Sequence, residues 1–398
     1  MVLPSDCDVA VAAPAGLARI RSIDIFRGLT MLVMIFVNDL AGVKGLPWWT
    51  FHMPPGKNGM TYVDVVFPTF LFIVGLSIPL AVRKRLEHGD SMPRLWAHIL
   101  MRSASLVVIG LVLANADRVD PVATGLRPGL WPLLALVGAI LFWLVSPLRV
   151  LKYAGLALLV AMLAIFRRST PGGEAWLDFS YWEILGLIGK AYLAACILYV
   201  PFRKNIWTLA AWFVVLNALN VATRLGLPAP GSLVPYGLWT FDSGEHPSIV
   251  MAGILTSLIF VDDRLARTFR DKALWALGFA ATLFAFGRAF SFLGIQKNAA
   301  TPTWCLYCSG IAIVLFVGIY WLADVRRRYA WAAFVKPAGS NTLLTYLLPD
   351  LYYFSTMALA LTLPRRTGWG GAVQSLVFTG CILGVSFLLT RRKIRMQL

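Results

Sequence analysis

The sequence pairs Asn38 with Asp39, places His52 in a following turn, and sets Asp64 twelve residues beyond the histidine. Histidine is the side chain best suited to move a proton near neutral pH. A carboxylate on one ring nitrogen fixes its tautomer and stabilises the imidazolium. His52 and Asp64 are therefore the candidate base and its orienting acid, with Asn38 and Asp39 near enough in sequence to join them. A plainer reading also stands: His52 as a loop histidine and Asp64 as a helix N-cap, for which Thr61 competes.

These residues sit in RSIDIFRGLTMLVMIFVNDLAGVKGLPWWTFHMPPGKNGMTYVDVVFPTFLFIVGLSIP, residues 21–79. It reads as one long apolar helix, a polar turnaround and a second long apolar helix. One hairpin then holds all four polar groups on one face of a membrane, where polar groups carry a cost and call for a reason. The whole chain agrees. It is 59% hydrophobic and 14% charged, against roughly 45–50% and 25% in soluble domains, and its mean hydropathy is +0.72. Apolar runs long enough to span recur to the end, without the alternation of a β-barrel. The expected fold class is an all-α polytopic helical bundle of about ten to twelve spans. The spans are placed at about 23–42, 63–82, 95–115, 130–146, 150–166, 183–201, 206–223, 247–261, 273–290, 302–324, 340–361 and 371–390, within the usual boundary error. Residues 1–22 are expected as a cytoplasmic tail, without the basic n-region of a signal peptide. Residues 23–390 form the membrane domain, and 391–398 a basic cytoplasmic tail.

The net charge of +17 does not point to nucleic acid. Its basic residues cluster in short loops, with no basic stripe interleaved with aromatics. With the N-terminus inside, the inner segments hold 22 Lys and Arg and the outer loops 10. That supports both termini in the cytoplasm of a multi-pass membrane protein. Arg365 and Arg366 are the outer charges that fit this rule least well. Five scattered cysteines, with one CxxC at Cys305 and Cys308, read as small packing residues, and no metal is expected.

Three further clusters carry charge. Asp24 and Arg27 stand at i, i+3 on the first helix and can pair, or Arg27 can meet a phosphate entering from the cytoplasm. Arg102 is a second such cation. GIQKNAATPTW, 294–304, presents Lys297 and Asn298 on the outer side, near Arg288. WTFDSGEHPS, 239–248, brings Asp242, Glu245 and His246 ahead of an outer helix end, where capping is the plainer role. Lys190 lies deep in its helix and must pair or snorkel.

RSIDIFRG, the VN that ends the first helix, the histidine turn and NGMTYVDVVFPTFLFIVG together resemble the heparan-alpha-glucosaminide N-acetyltransferase family and its bacterial relatives. QKNAATPTW (296–304), YWLADV (320–325) and PAGSNTLLTY (337–346) resemble later segments of that family in the same order. Here MPPGK lengthens the stretch between His52 and Asn58, and helices 183–201 and 206–223 are additional to the animal pattern. The resemblance implies transmembrane acyl transfer, with acetyl-CoA as donor substrate and a glycan or amino sugar as acceptor on the far side. It implies His52, Asn38 and Asp64 as the catalytic set. Arg27 and Arg102 are then candidates for holding CoA. Lys297, Asn298, Asp39, Arg288, Glu245 and His246 are candidates for the acceptor. Membrane lipid and a homodimer are the other expected partners. A proton-coupled transporter or flippase of a polar glycan or lipid, with His52 and Asp64 as relay, is the competing reading.

Overall fold

A computed structural model describes residues 20–227, 240–261 and 266–397. The expectations that fall on residues 1–19, Trp239, Arg264 and Leu398 lie outside them. The described helices are α1 (Arg21–Leu40), α2 (Val63–Glu87), α3 (Met92–Ala114), α4 (Pro121–Thr124), α5 (Leu130–Trp143), α6 (Arg149–Ile165), α7 (Ile184–Phe202), α8 (Ile206–Arg224), α9 (Glu245–Val261), α10 (Phe269–Ala289), α11 (Pro302–Tyr320), α12 (Lys336–Ser340), α13 (Thr342–Ala358) and α14 (Gly368–Arg391). Each of the twelve expected spans overlaps one of the longer helices. The protein is an all-α polytopic membrane protein. Six helices, α2, α3, α7, α8, α11 with its π-turn Trp321–Val325, and α14, are long and apolar enough to cross a bilayer by length and composition. In lipid, a helix is the form that satisfies every backbone group within one segment. Among the described residues the one sheet is a hairpin, β1 (Arg168–Thr170) against β2 (Gly173–Ala175), in a loop where no strand was expected.

Small residues set the closest helix approaches. α2 and α9 cross where a Cβ on Gly75 would sit 2.0 Å from the Val250 carbonyl oxygen, and one on Gly253 would sit 2.1 Å from that of Phe72. Such backbone proximity is how helices gain contact in a membrane, where apolar burial alone does not drive them together.

Hydrogen bonds define the two faces of the bundle. On the N-terminal face, Asp324 accepts from the backbone of Arg21 (3.0 Å) and Ser22 (2.9 Å). It thereby caps α1, whose own N-cap residue, Ile20, has no side-chain acceptor. Lys272, near the start of α10, donates to the Phe260 carbonyl at the end of α9 (2.9 Å). On the far face the ends of α1 and α13 meet the start of α14, and the starts of α2 and α11 come together.

Two departures from the expected helices follow from side-chain chemistry. The span expected at 340–361 is broken at Asn341, whose φ of −122° and ψ of 47° are non-helical. Its buried amide instead donates to the Ile394 carbonyl (3.0 Å) and accepts from the Met396 N–H (3.3 Å). Short polar side chains that offer such bonds compete with helix continuation. The basic tail beyond α14 accordingly folds back: Val145 donates to the Arg395 carbonyl (2.8 Å) and Gln397 to that of Trp143 (3.1 Å).

Candidate active site

The turn between α1 and α2 carries the dyad. His52 Nδ1 lies 2.8 Å from Asp64 Oδ1. Asp64 is fully buried, while the His52 side chain is 42% exposed. The second carboxylate oxygen, Oδ2, accepts from the Thr61 N–H (2.9 Å), the Met53 N–H (3.1 Å) and the Thr61 hydroxyl (3.3 Å). Asp64 therefore reaches back from the first turn of α2 to the turn that precedes it. The sequence posed N-cap and histidine partner as alternatives; the N-cap position is Tyr62, with no side-chain cap, and Asp64 instead braces the turn and holds the imidazole. Thr61 is pinned in turn by donating to the Phe51 carbonyl (2.7 Å), and the buried Trp304 indole donates to the Asp64 carbonyl (3.3 Å).

An ionised carboxylate only accepts, so the proton of the neutral imidazole sits on Nδ1 and the lone pair on Nε2. Lys297 Nζ lies against the imidazole, 3.1 Å from Nε2 and 3.2 Å from Nδ1. Burial pushes the ammonium below the usual lysine pKa, while the charge on Asp64 pulls it back up. The lysine's loop is tied to the histidine turn by Gly59 N–H to the Ile295 carbonyl (2.9 Å) and by Ile295 N–H to Asn58 Oδ1 (2.6 Å). Thus Asp64, His52 and Lys297 form a continuous row, assembled from two segments more than 200 residues apart.

The other predicted residues fall elsewhere. Asn38 is exposed on the last turn of α1, and among the described residues no hydrogen bond joins it to His52 or Asp64. Asp39, beside it, is buried and bonded to Arg366 and to the Tyr353 hydroxyl. This clasp ties α1 to α13 and α14, and it accounts for the outer arginine at 366. Arg288 is exposed and donates to Ser291 (3.0 Å), and Asn298 is exposed. Lys190, 6% exposed, pairs with Asp242. Burial pushes the Asp242 carboxyl up, but the His246 and Lys190 contacts outweigh it and hold it below the usual carboxylate range. His246 Nδ1 stands 3.8 Å from Asp242 and 3.9 Å from Glu245. The donor atoms of these three lie within 4.8 Å of one another, near enough to share a cation, although Lys190 already supplies one positive charge. Phe67, one turn inward of Asp64, packs on the His246 ring at 5.7 Å.

A cavity of about 670 Å³ enters the bundle from the N-terminal face. Lys84, Arg85, His88, His98, Arg102 and Arg27 line it. Arg27 donates to Ser77 (2.7 Å) and to the Gly339 carbonyl (3.2 Å), with Asp24 at 3.5 Å. Arg102 stands over the Tyr192 ring at 5.1 Å, with its Nε buried and unbonded. The inner end is apolar, bounded by Met34, Phe70, Ile184 and Tyr346. Phe70 is six residues inward of Asp64, about 9 Å of helix rise. Between cavity and dyad lies an apolar seal of Met34, Val37, Val63 and Val66.

Sequence reasoning missed Tyr346 as a cavity wall and Trp304 as a support of Asp64. Both lie inside the later motifs, PAGSNTLLTY and QKNAATPTW, and that was the available signal.

A family model described as a domain of unknown function (DUF5009) matches residues 19–224, more than half of the chain. The chain belongs to that family. It is also related to curated proteins: heparan-alpha-glucosaminide N-acetyltransferase of Homo sapiens is 41% identical over 99 residues, and that of Mus musculus is 39% identical over the same length. The match covers 25% of this chain and spans only 14% of the length of either relative.

Proposed function

We propose that this DUF5009 protein is an integral-membrane acyltransferase that takes an acetyl or acyl group from acyl-CoA on one side of the membrane to an amino sugar or other glycan acceptor on the other. The observation that carries the reading is the alignment, in one bundle, of a basic-lined cavity on one face with the Asp64–His52–Lys297 row on the other. The cations that line the cavity suit the several phosphates of CoA, and the apolar inner end suits an acyl-pantetheine arm. The partial relation to a membrane N-acetyltransferase supports the same donor. The excess of positive charge in the N-terminal-face loops supports a cytoplasmic donor side, and hence a bacterial inner-membrane protein with both termini inside.

In this reading His52 Nε2 takes the proton of the attacking amine or hydroxyl, and Asp64 holds the ring and stabilises the imidazolium. Asn38, exposed at the end of α1, is the amide proposed to donate to the oxyanion. Direct attack needs one site and one chemical step; an acyl-histidine route would need two. The test is acetyl transfer from acetyl-CoA to glucosamine by the detergent-purified chain, read as thiol release and acetylated product, with His52→Ala alongside. Transfer that is absent from the wild type, or unchanged in His52→Ala, sinks the reading.

The transporter reading draws on the break between α12 and α13, because Ser340 and Thr342 at that joint line the cavity, and broken helices build transporter sites. Uptake of labelled glycan into sealed vesicles without thiol release would favour it.

A further inference from the structure

Lys297 was expected among the residues that hold the acceptor. Its position fits another task. A base takes a proton from a group within about 2.6–3.2 Å, and Lys297 Nζ lies 3.1 Å from His52 Nε2 and 3.2 Å from Nδ1, against the imidazole. A primary amine of the protein itself is thus held beside the base, and a small turn of the ring brings the Nε2 lone pair onto it. It is held there, not dangling. Besides the ties to Asn58 and Gly59, the loop is closed by Ala300 N–H to the Lys297 carbonyl (2.9 Å) and Gln296 N–H to Thr301 Oγ1 (3.1 Å). Burial lowers the lysine's pKa, so more of it is the nucleophilic free amine at a given pH than in a solvated lysine.

We propose that Lys297 is an internal acyl acceptor, acylated on Nζ when acyl-CoA is present and no external acceptor occupies the site. This rests on the acyltransferase reading. The lysine first gives up its ammonium proton to solvent. The Nζ lone pair then attacks the thioester carbonyl carbon, an N–C bond forms, and an Nζ proton passes to His52 Nε2. Collapse of the adduct breaks the C–S bond. The leaving thiolate takes the proton from Nε2, so one free CoA thiol and one neutral lysine amide result per event. The amide has no basic nitrogen, so each event removes that chain from the active pool. A bound acceptor protects the enzyme by taking the lysine's place.

The experiment incubates the full chain in detergent with acetyl-CoA, with and without glucosamine, and follows peptide acetylation by mass spectrometry. Exposed Lys57, in the same turn as His52, reports uncatalysed acetylation within each sample. Lys297 is expected to be acetylated at least ~10²-fold faster than Lys57, the low end of what general-base catalysis supplies. Glucosamine slows it, and His52→Ala brings it down to the Lys57 rate. Glucosamine acetylated while Lys297 reacts no faster than Lys57 overturns the proposal and leaves the proposed function standing. Failure of both acetylations overturns the proposed function and this proposal together.

Discussion

Asp64→Asn isolates the electrostatic role of the dyad, because the structure dictates how the amide must sit. Oδ2 accepts two backbone N–H groups, from Thr61 and Met53. An asparagine must leave its carbonyl oxygen there, since turning the NH₂ toward two donors would leave all three unpaired. The NH₂ then faces His52 Nδ1 across 2.8 Å and donates to it. The imidazole is forced to carry its proton on Nε2, so its base is gone. Folding loses one charge-assisted bond, about 1.5–3 kcal/mol, but keeps the turn. Catalysis loses the correct tautomer, which in a comparable triad costs ~10⁴-fold, or about 5 kcal/mol of barrier. The assay is kcat for acetyl transfer to glucosamine, with a melting curve as the fold control. An Asp64→Asn protein that melts normally and keeps activity within about tenfold of wild type would show that Asp64 serves only the turn.

Arg27→Ala removes a cation from the donor cavity, and CoA affinity should fall by about ten- to a hundredfold, the worth of a bond to a charged group; calorimetric titration with CoA checks it, and unchanged affinity returns Arg27 to a structural partner of Gly339 and Ser77. Val37→Trp overfills the seal at a cost of about 1–3 kcal/mol, so CoA should bind as before while acetyl transfer falls; undiminished transfer would mean that the acyl group takes another path. Lys190→Met leaves Asp242 without its ammonium and should cost about 3–5 kcal/mol of stability. In the wild type the Asp242 carboxyl titrates below its usual range, so its contribution is full above the unfolded-state pKa and is lost as pH falls through the depressed value. Melting curves between about pH 7 and 3 should show that acid-side loss in the wild type and a smaller one in the variant, where protonation relieves the unpaired carboxylate; an equal loss in both would mean that Lys190 does not hold the Asp242 pKa down.

The helices were legible because each is a continuous apolar run with a polar or Pro/Gly boundary, and hydropathy carries that signal locally. The dyad was legible because one hairpin holds both partners, twelve residues apart. Partners remote in sequence were not legible. Asn38 and Asp39 read as a pair, but consecutive helix residues point about 100° apart, so only one of them can face a given neighbour. Asp39 turns inward to Arg366, 327 residues away, and Asn38 turns out. In the turn before α11, Lys297 lies on the imidazole while its neighbour Asn298 is exposed. The break at Asn341 was hidden because its competing partners, Ile394 and Met396, come from a tail whose basic composition reads as solvated.

The thickness of the seal bears on the choice between transfer and transport. Cavity and dyad are separated by about 9 Å of helix rise, filled by side chains of α1 and α2: Met34, Val37, Val63 and Val66. A glycan or lipid headgroup crossing this gap whole would have to part the helices, and α1 is locked at both ends by Asp324 and by Arg366 with Tyr353. An acyl group on a thin arm needs only the rotation of a few apolar side chains. A dry, side-chain-thick seal also suits the chemistry, because water admitted beside His52 would compete with the acceptor for the thioester. The barrier therefore fits a protein that passes a small group and keeps its donor and acceptor on opposite sides.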